Sequence, residues 1–122
     1  MDFKKTEAIY LQIADLMCER ILLKDWTENQ RIPSVRELAV DLEVNPNTVM
    51  RAYAFLQDQG IIFNKRGIGY FVSQEGVSIT RKRYRARFIR DDLPQLCRTL
   101  KLLDMDFTEF HSLYTQSQEG KK

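Results

Sequence analysis

Apolar residues near the start of the chain recur at spacings of three and four. In TEAIYLQIADLMCERILL they are Ile9, Ile13, Leu16, Met17 and Ile21. That period places them on one stripe and predicts an α-helix over residues 6–23, with Thr6 as its N-cap. KDWTENQRI breaks the period and reads as a connection, with Trp26 as a packing anchor. PSVRELAVDL predicts a second, shorter helix over residues 33–42, with Leu38, Ala39 and Leu42 facing inward. Ser34 and Glu37 have the spacing of a capping box, in which each side chain accepts a hydrogen bond from the other's backbone N–H. After the turn at Glu43-Val44 comes NPNTVMRAYAFLQDQG. Asn45 is the expected N-cap of a third helix and Pro46 its first residue, where a missing N–H costs nothing. Val44 and Val49 hold the two positions of a hydrophobic staple. Val49, Ala52, Tyr53 and Leu56 form the expected buried stripe, and Gly60 the left-handed residue that ends the helix.

The next stretch, IIFNKRGIGYFVS, changes period. Two β-rich runs flank a turn carrying Gly67 and Gly69, which predicts a hairpin with Lys65 and Arg66 at its tip. From Glu75 the pattern is helical again: Tyr84, Phe88, Leu93, Leu96, Cys97, Leu100 and Leu103 fall near helical spacing. Pro94 should kink this run or restart it after Asp92. Asp106, with Glu109 three residues on, caps a last helix whose apolar side is Phe107, Phe110, Leu113 and Tyr114. The polar tail QSQEGKK is expected to fray.

Two capped helices joined by a tight turn read as a helix-turn-helix, and the hairpin behind them reads as a wing. If Val49, Ala52 and Leu56 face the core, Asn47, Thr48 and Arg51 face outward near the N-terminus of the third helix. In this motif that end enters the DNA major groove, where Asn and Arg read base edges and Thr meets a base or a phosphate. The wing's Lys65 and Arg66 suit a phosphate backbone or a minor groove. The fold class expected is mainly α. A winged helix-turn-helix of three helices and a β-hairpin over residues 1–74 precedes a two-helix dimerisation region over 75–122.

Composition adds less. The net charge is +2, and residues 1–73 hold nine basic and ten acidic side chains. Six of the cations are gathered in RKRYRARFIR, residues 81–90. That block reads either as added phosphate contacts, because DNA affinity rests on phosphate neutralisation, or as a bridge to Asp91, Asp92 or Asp104 of a second subunit. No apolar run approaches the roughly 20 residues of a membrane span, and no signal peptide is evident, so the expected location is the cytoplasm. Cys18 and Cys97 read as buried thiols, and with His111 they do not make a zinc site. No metal or cofactor is expected. No nucleophile–base pair or phosphate loop appears, which argues against an enzyme.

The segment RIPSVRELAVDLEVNPNTVMRAYAFLQDQGIIFNKRGIGYFV resembles the DNA-binding domain of GntR-type bacterial transcription regulators. The shared features are PS-x-REL-A, NPNTV-x-RAY, the glycine at 60 and G-x-G-x-FV, over residues 9–72. The short tail is similar to that of the YtrA-like branch, which carries two C-terminal helices for dimerisation. The resemblance implies that Arg36 contacts phosphate and base, that Asn47 and Thr48 are recognition-helix contacts, and that Arg66 and Gly67 enter the minor groove. Pro46 and Met50 stand where many members have basic residues, and the glycines usual near Asp25 and Glu43 are absent.

The expectation is therefore a homodimeric, sequence-specific DNA-binding repressor. Its partner is double-stranded DNA, an inverted-repeat operator, which the resemblance ties to a transporter operon and the regulator's own gene. The DNA-binding set is Arg36, Asn47, Thr48, Arg51, Lys65, Arg66 and Gly67. The dimerisation set is Tyr84, Phe88, Leu93, Leu96, Leu100, Phe107, Phe110 and Tyr114, because two helices cannot cover these side chains by themselves. Two helices are also too few to enclose an effector pocket. Whether an effector exists, and which, stays open. The alternative is a winged helix that binds a protein partner without reading DNA.

Overall fold

The computed structural model describes residues 7–120. The expected Thr6 cap lies outside them. The chain divides into two compact units, one running to Arg83 and the other from Tyr84.

The first unit is built on three helices: α1 (Ile9–Leu22), α2 (Val35–Leu42) and α3 (Pro46–Asp58). Its core is formed by Ile13, Met17, Cys18 and Ile21 of α1, Leu38 and Ala39 of α2, and Val49, Ala52, Tyr53 and Leu56 of α3. Ile9, placed on the stripe by its spacing, is 54% exposed, because it opens the helix at a point where nothing packs over it. Leu16, Leu42 and Trp26 are half-buried, and together with Leu38 they line a shallow hollow.

The local signals at the ends of α2 and α3 are met, whereas α1 opens later than expected, with Ala8 before its first residue and no side-chain cap. The Ser34 N–H donates to Glu37 Oε1 at 2.8 Å and the Glu37 N–H to Ser34 Oγ at 3.1 Å, which completes the capping box of α2. Hydrogen bonding to Ser34, from its backbone N–H first and then its side chain, holds the Glu37 carboxyl below its ordinary pKa. Asn45 Oδ1 accepts from the Asn47 N–H at 2.8 Å, and Pro46 opens α3. Gly60, at φ +79°, ends it. Lys24 and Glu43 sit at φ +66° and +55°, the left-handed region, near the places where the sequence lacks glycine.

The hairpin is β1 (Ile62–Lys65) antiparallel to β2 (Gly69–Val72), with Ile62 opposite Val72 and Lys65 opposite Gly69. The segment expected to be a plain connection extends it. The Ile32 N–H donates to Tyr70 O at 2.9 Å, the Val72 N–H to Gln30 O at 3.0 Å, and Arg31 bridges Phe71. These bonds pair the free edge of β2 and fix residues 29–32 to the wing.

Helix α4 spans Gly76–Arg87. Its residues up to Arg83 belong to the first unit, which thus runs past residue 74. Thr80 is fully buried, and a Cβ at Gly76 would lie 2.6 Å from Ile61 O. Only glycine allows that approach.

In the second unit the chain stays right-handed helical past Arg87, through a wide π-helical turn (Phe88–Asp92) into α5 (Leu93–Leu102). The expected kink or restart is thus this turn. Pro94 offers no N–H and its ring crowds the carbonyl four residues back. The helix widens before it, and the Leu93 N–H reaches Phe88 O. A last helix, α6 (Phe107–Glu119), is capped by Asp106, whose Oδ1 accepts from the Glu109 N–H at 2.9 Å. It continues through most of the tail expected to fray. None of the described residues from Tyr84 onward is buried. Cys97 is accordingly exposed rather than a core thiol, whereas Cys18 is buried.

Candidate nucleic-acid interface

Three short pieces of backbone meet around one concave groove of about 480 Å³. The start of α2 contributes Ser34, Val35 and Arg36, the start of α3 contributes Pro46, Asn47 and Met50, and the wing contributes Ile68, Gly69 and Tyr70. Arg31 lies on its wall. A buried tyrosine fixes these pieces to one another. The Tyr53 hydroxyl donates to Pro33 O at 2.5 Å, and its ring meets Tyr70 edge-on at 4.8 Å between centroids. Recognition helix, α2 entry and wing strand therefore share one anchor. Burial, then the neighbouring Tyr70 and Glu37, pushes the Tyr53 hydroxyl well above the ordinary tyrosine pKa, so it stays a donor.

The expected contact residues divide into groups. Arg36 and Asn47 line the groove, and both are exposed. Among the described residues Arg36 forms no ion pair with Glu37 or any other acid, and the Asn47 amide makes no hydrogen bond. Both remain available to a ligand. Two helix N-termini open here as well, each with partial positive charge that favours an anion.

Thr48 is half-buried rather than fully outward. Arg51 points to the other flank of α3, where its guanidinium stacks over the Tyr10 ring at 4.1 Å. It does not line the groove, and no bond to Asp58 forms among the described residues. A helix residue four places after Asn47 would share its face, but the aromatic ring of α1 draws this side chain aside. On the wing, Lys65 lies over the Phe71 ring at 5.0 Å, and Arg66 and Gly67 are exposed in the three-residue loop, with Gly67 at φ +80°.

Arg31, Met50 and Ile68 line the groove as well, although the sequence reading did not place them among the contact residues. Arg31 reaches the groove because residues 29–32 pair with β2. Its guanidinium packs on Gly69, where an added Cβ would lie 3.0 Å from Arg31 Nε. The signal available was small, an apolar Ile32 set between polar residues and Pro33.

The basic block is partly used within the fold. Arg83 stacks over Phe55 at 4.9 Å and donates to Gln59 at 2.9 Å. Arg87 stacks on Tyr84 at 4.5 Å, and Arg90 grips Asp91 at 2.9 and 3.1 Å. Arg81, Lys82 and Arg85 are exposed.

A helix-turn-helix meets DNA through the N-terminal end of its second helix, and that end of α3 lines this groove. The family model described as bacterial regulatory proteins, gntR family, matches residues 9–72. The chain belongs to the gntR family.

The HTH-type transcriptional regulator YhcF of Bacillus subtilis (strain 168) is 40% identical over 73 residues, 60% of this chain and 60% of YhcF. The chain thus spans less than two thirds of that relative. The HTH-type transcriptional repressor YtrA of the same organism is 38% identical over 96 residues, 79% of this chain and 73% of YtrA. A GntR-family transcriptional regulator from Bacteroides thetaiotaomicron has a solved structure that superposes with a TM-score of 0.73 at 41% identity, covering 94% of this chain and all of that one. These relatives are transcription regulators rather than enzymes. This GntR-type regulator accordingly carries a DNA-binding winged helix with an antiparallel two-strand wing. Among its described residues no helix is long and apolar enough to cross a membrane.

Proposed function

We propose that this GntR-family chain is a homodimeric repressor that occupies an inverted-repeat operator from the cytoplasm. The observation that carries the reading is the groove, in which Arg36 and Asn47 stand unpaired beside two helix N-termini and the wing. Arg36 and Asn47 face the major groove, Lys65, Arg66 and Gly67 follow the adjacent backbone or minor groove, and Thr48 and Arg51 hold phosphates at the flank. Dimerisation is supported by the second unit, where Phe88 and Phe107 are 45% and 75% exposed. A two-fold axis through the set Tyr84, Phe88, Leu93, Leu96, Leu100, Phe107, Phe110 and Tyr114 covers these side chains and presents two recognition helices to one duplex. The family resemblance implies an operator before a transporter operon and before the regulator's own gene.

Selection from a randomised duplex pool at fixed salt, followed by footprinting, tests this. The expected result is an enriched inverted repeat, from which Arg36→Ala loses about 1–3 kcal/mol of binding. Weak, salt-sensitive binding with no enriched sequence refutes it.

A second reading, a winged helix that binds a protein, draws support from the apolar wall that Met50 and Ile68 give the groove. Charge reversal at Arg36 and Arg66 separates the two, since it abolishes DNA binding and spares a docking that rests on apolar contacts.

A further inference from the structure

Met50 is an exposed apolar side chain on the outward face of the recognition helix. It is 48% exposed, while Val49, Ala52, Tyr53 and Leu56 of the same helix are fully buried, so the core does not account for it. It stands three residues after Asn47, which makes the two side chains neighbours on one helix face. Both line the groove, with Arg36 beside them and Ile68 opposite on the wing.

A major groove offers donors, acceptors and one apolar feature, the C5-methyl of thymine. A thioether has no donor and is a weak acceptor, so it gains little from phosphate or from the polar base edges. Its unbranched, polarizable chain adapts well to a small apolar partner. Three residues of helix advance about 4.5 Å, close to one base-pair step of about 3.4 Å.

We propose that Met50 is a specificity-determining residue that reads a thymine methyl on the base pair next to the one addressed by Asn47. The inference rests on the groove being a DNA-reading surface. It makes thymine the preferred base at one defined position of each half-site.

The test uses the full chain and the duplex recovered by selection. Each thymine is replaced in turn by deoxyuridine, which removes the methyl and nothing else. Dissociation constants are read by fluorescence anisotropy at fixed salt for the wild type and for Met50→Ala. One replacement per half-site should weaken wild-type binding about fourfold, the effect of one buried methyl-sized contact. Met50→Ala should bind the thymine and uracil duplexes equally at that position. Circular dichroism confirms that the variant is folded, as expected for a half-exposed side chain. The inference is overturned if every replacement is silent in the wild type, or if the loss persists undiminished in Met50→Ala. A pool that yields no preferred sequence overturns the DNA-reading surface and this inference together, and it does so before any thymine is replaced.

Discussion

The two units of this regulator use their apolar residues in opposite ways. Up to Arg83, helices α1–α3 and the wing close over a core running from Ile13 to Val72, with Met17, Ile21, Tyr53 and Leu56 at no exposure. From Tyr84 on, the described residues include no buried side chain, although Phe88, Leu96, Leu100, Phe107 and Phe110 are as apolar as those of the first unit. The difference is geometric. Three helices and a hairpin enclose a volume, whereas a helix pair has one contact line and leaves the rest of each apolar face to solvent or to another chain. The first unit therefore closes over its own core, whereas the second leaves the apolar face that the proposed dimer would cover.

The sharpest way to break this comparison is to truncate apolar residues in each unit, one buried and two exposed, and vary protein concentration. Leu56→Ala should cost about 2–5 kcal/mol of stability by chemical denaturation, independent of concentration. Phe88→Ala combined with Phe110→Ala should instead weaken self-association by tenfold or more in sedimentation equilibrium. The isolated winged helix should keep its stability. A double variant that stays dimeric at nanomolar concentration would remove the contrast.

Tyr53→Phe should cost about 1–2 kcal/mol, because the Pro33 carbonyl loses its donor. It also has a pH signature. The folded-state pKa of Tyr53 is raised above its unfolded value, so its contribution is complete below about pH 10 and declines as the unfolded chain ionises above that. Wild-type stability measured from pH 8 to 12 should fall along this limb, and the limb should be shallower in Tyr53→Phe. The smallest effect belongs to Glu43→Gly. Relieving a left-handed non-glycine residue should raise stability by roughly 0.5–1 kcal/mol, seen as a melting temperature a few degrees higher.

Much of this fold is legible because its signals are local. The Ser34–Glu37 box, the Asn45 cap, Gly60 and the Lys65–Gly69 turn each depend on a few consecutive residues. The groove was legible in part. Asn47 follows from helix periodicity and Arg36 from the family resemblance, and their place at helix N-termini gives them their chemistry. Arg51 has the same periodic warrant, but Tyr10 lies far from it in sequence, so nothing local announces the stacking.

The sequence by itself determined the order of the elements and the caps of α2, α3 and α6, because these are set by interactions within about one turn of backbone. Only the tertiary structure decided that residues 29–32 pair with β2 and bring Arg31 to the groove, and that Met50 and Ile68 form its apolar wall. It also decided that Tyr53 fastens the α2 entry and the wing to the recognition helix, and that Cys97 faces solvent. Each of these depends on which distant segments pack together, and periodicity along one helix carries no information about what stands across from it.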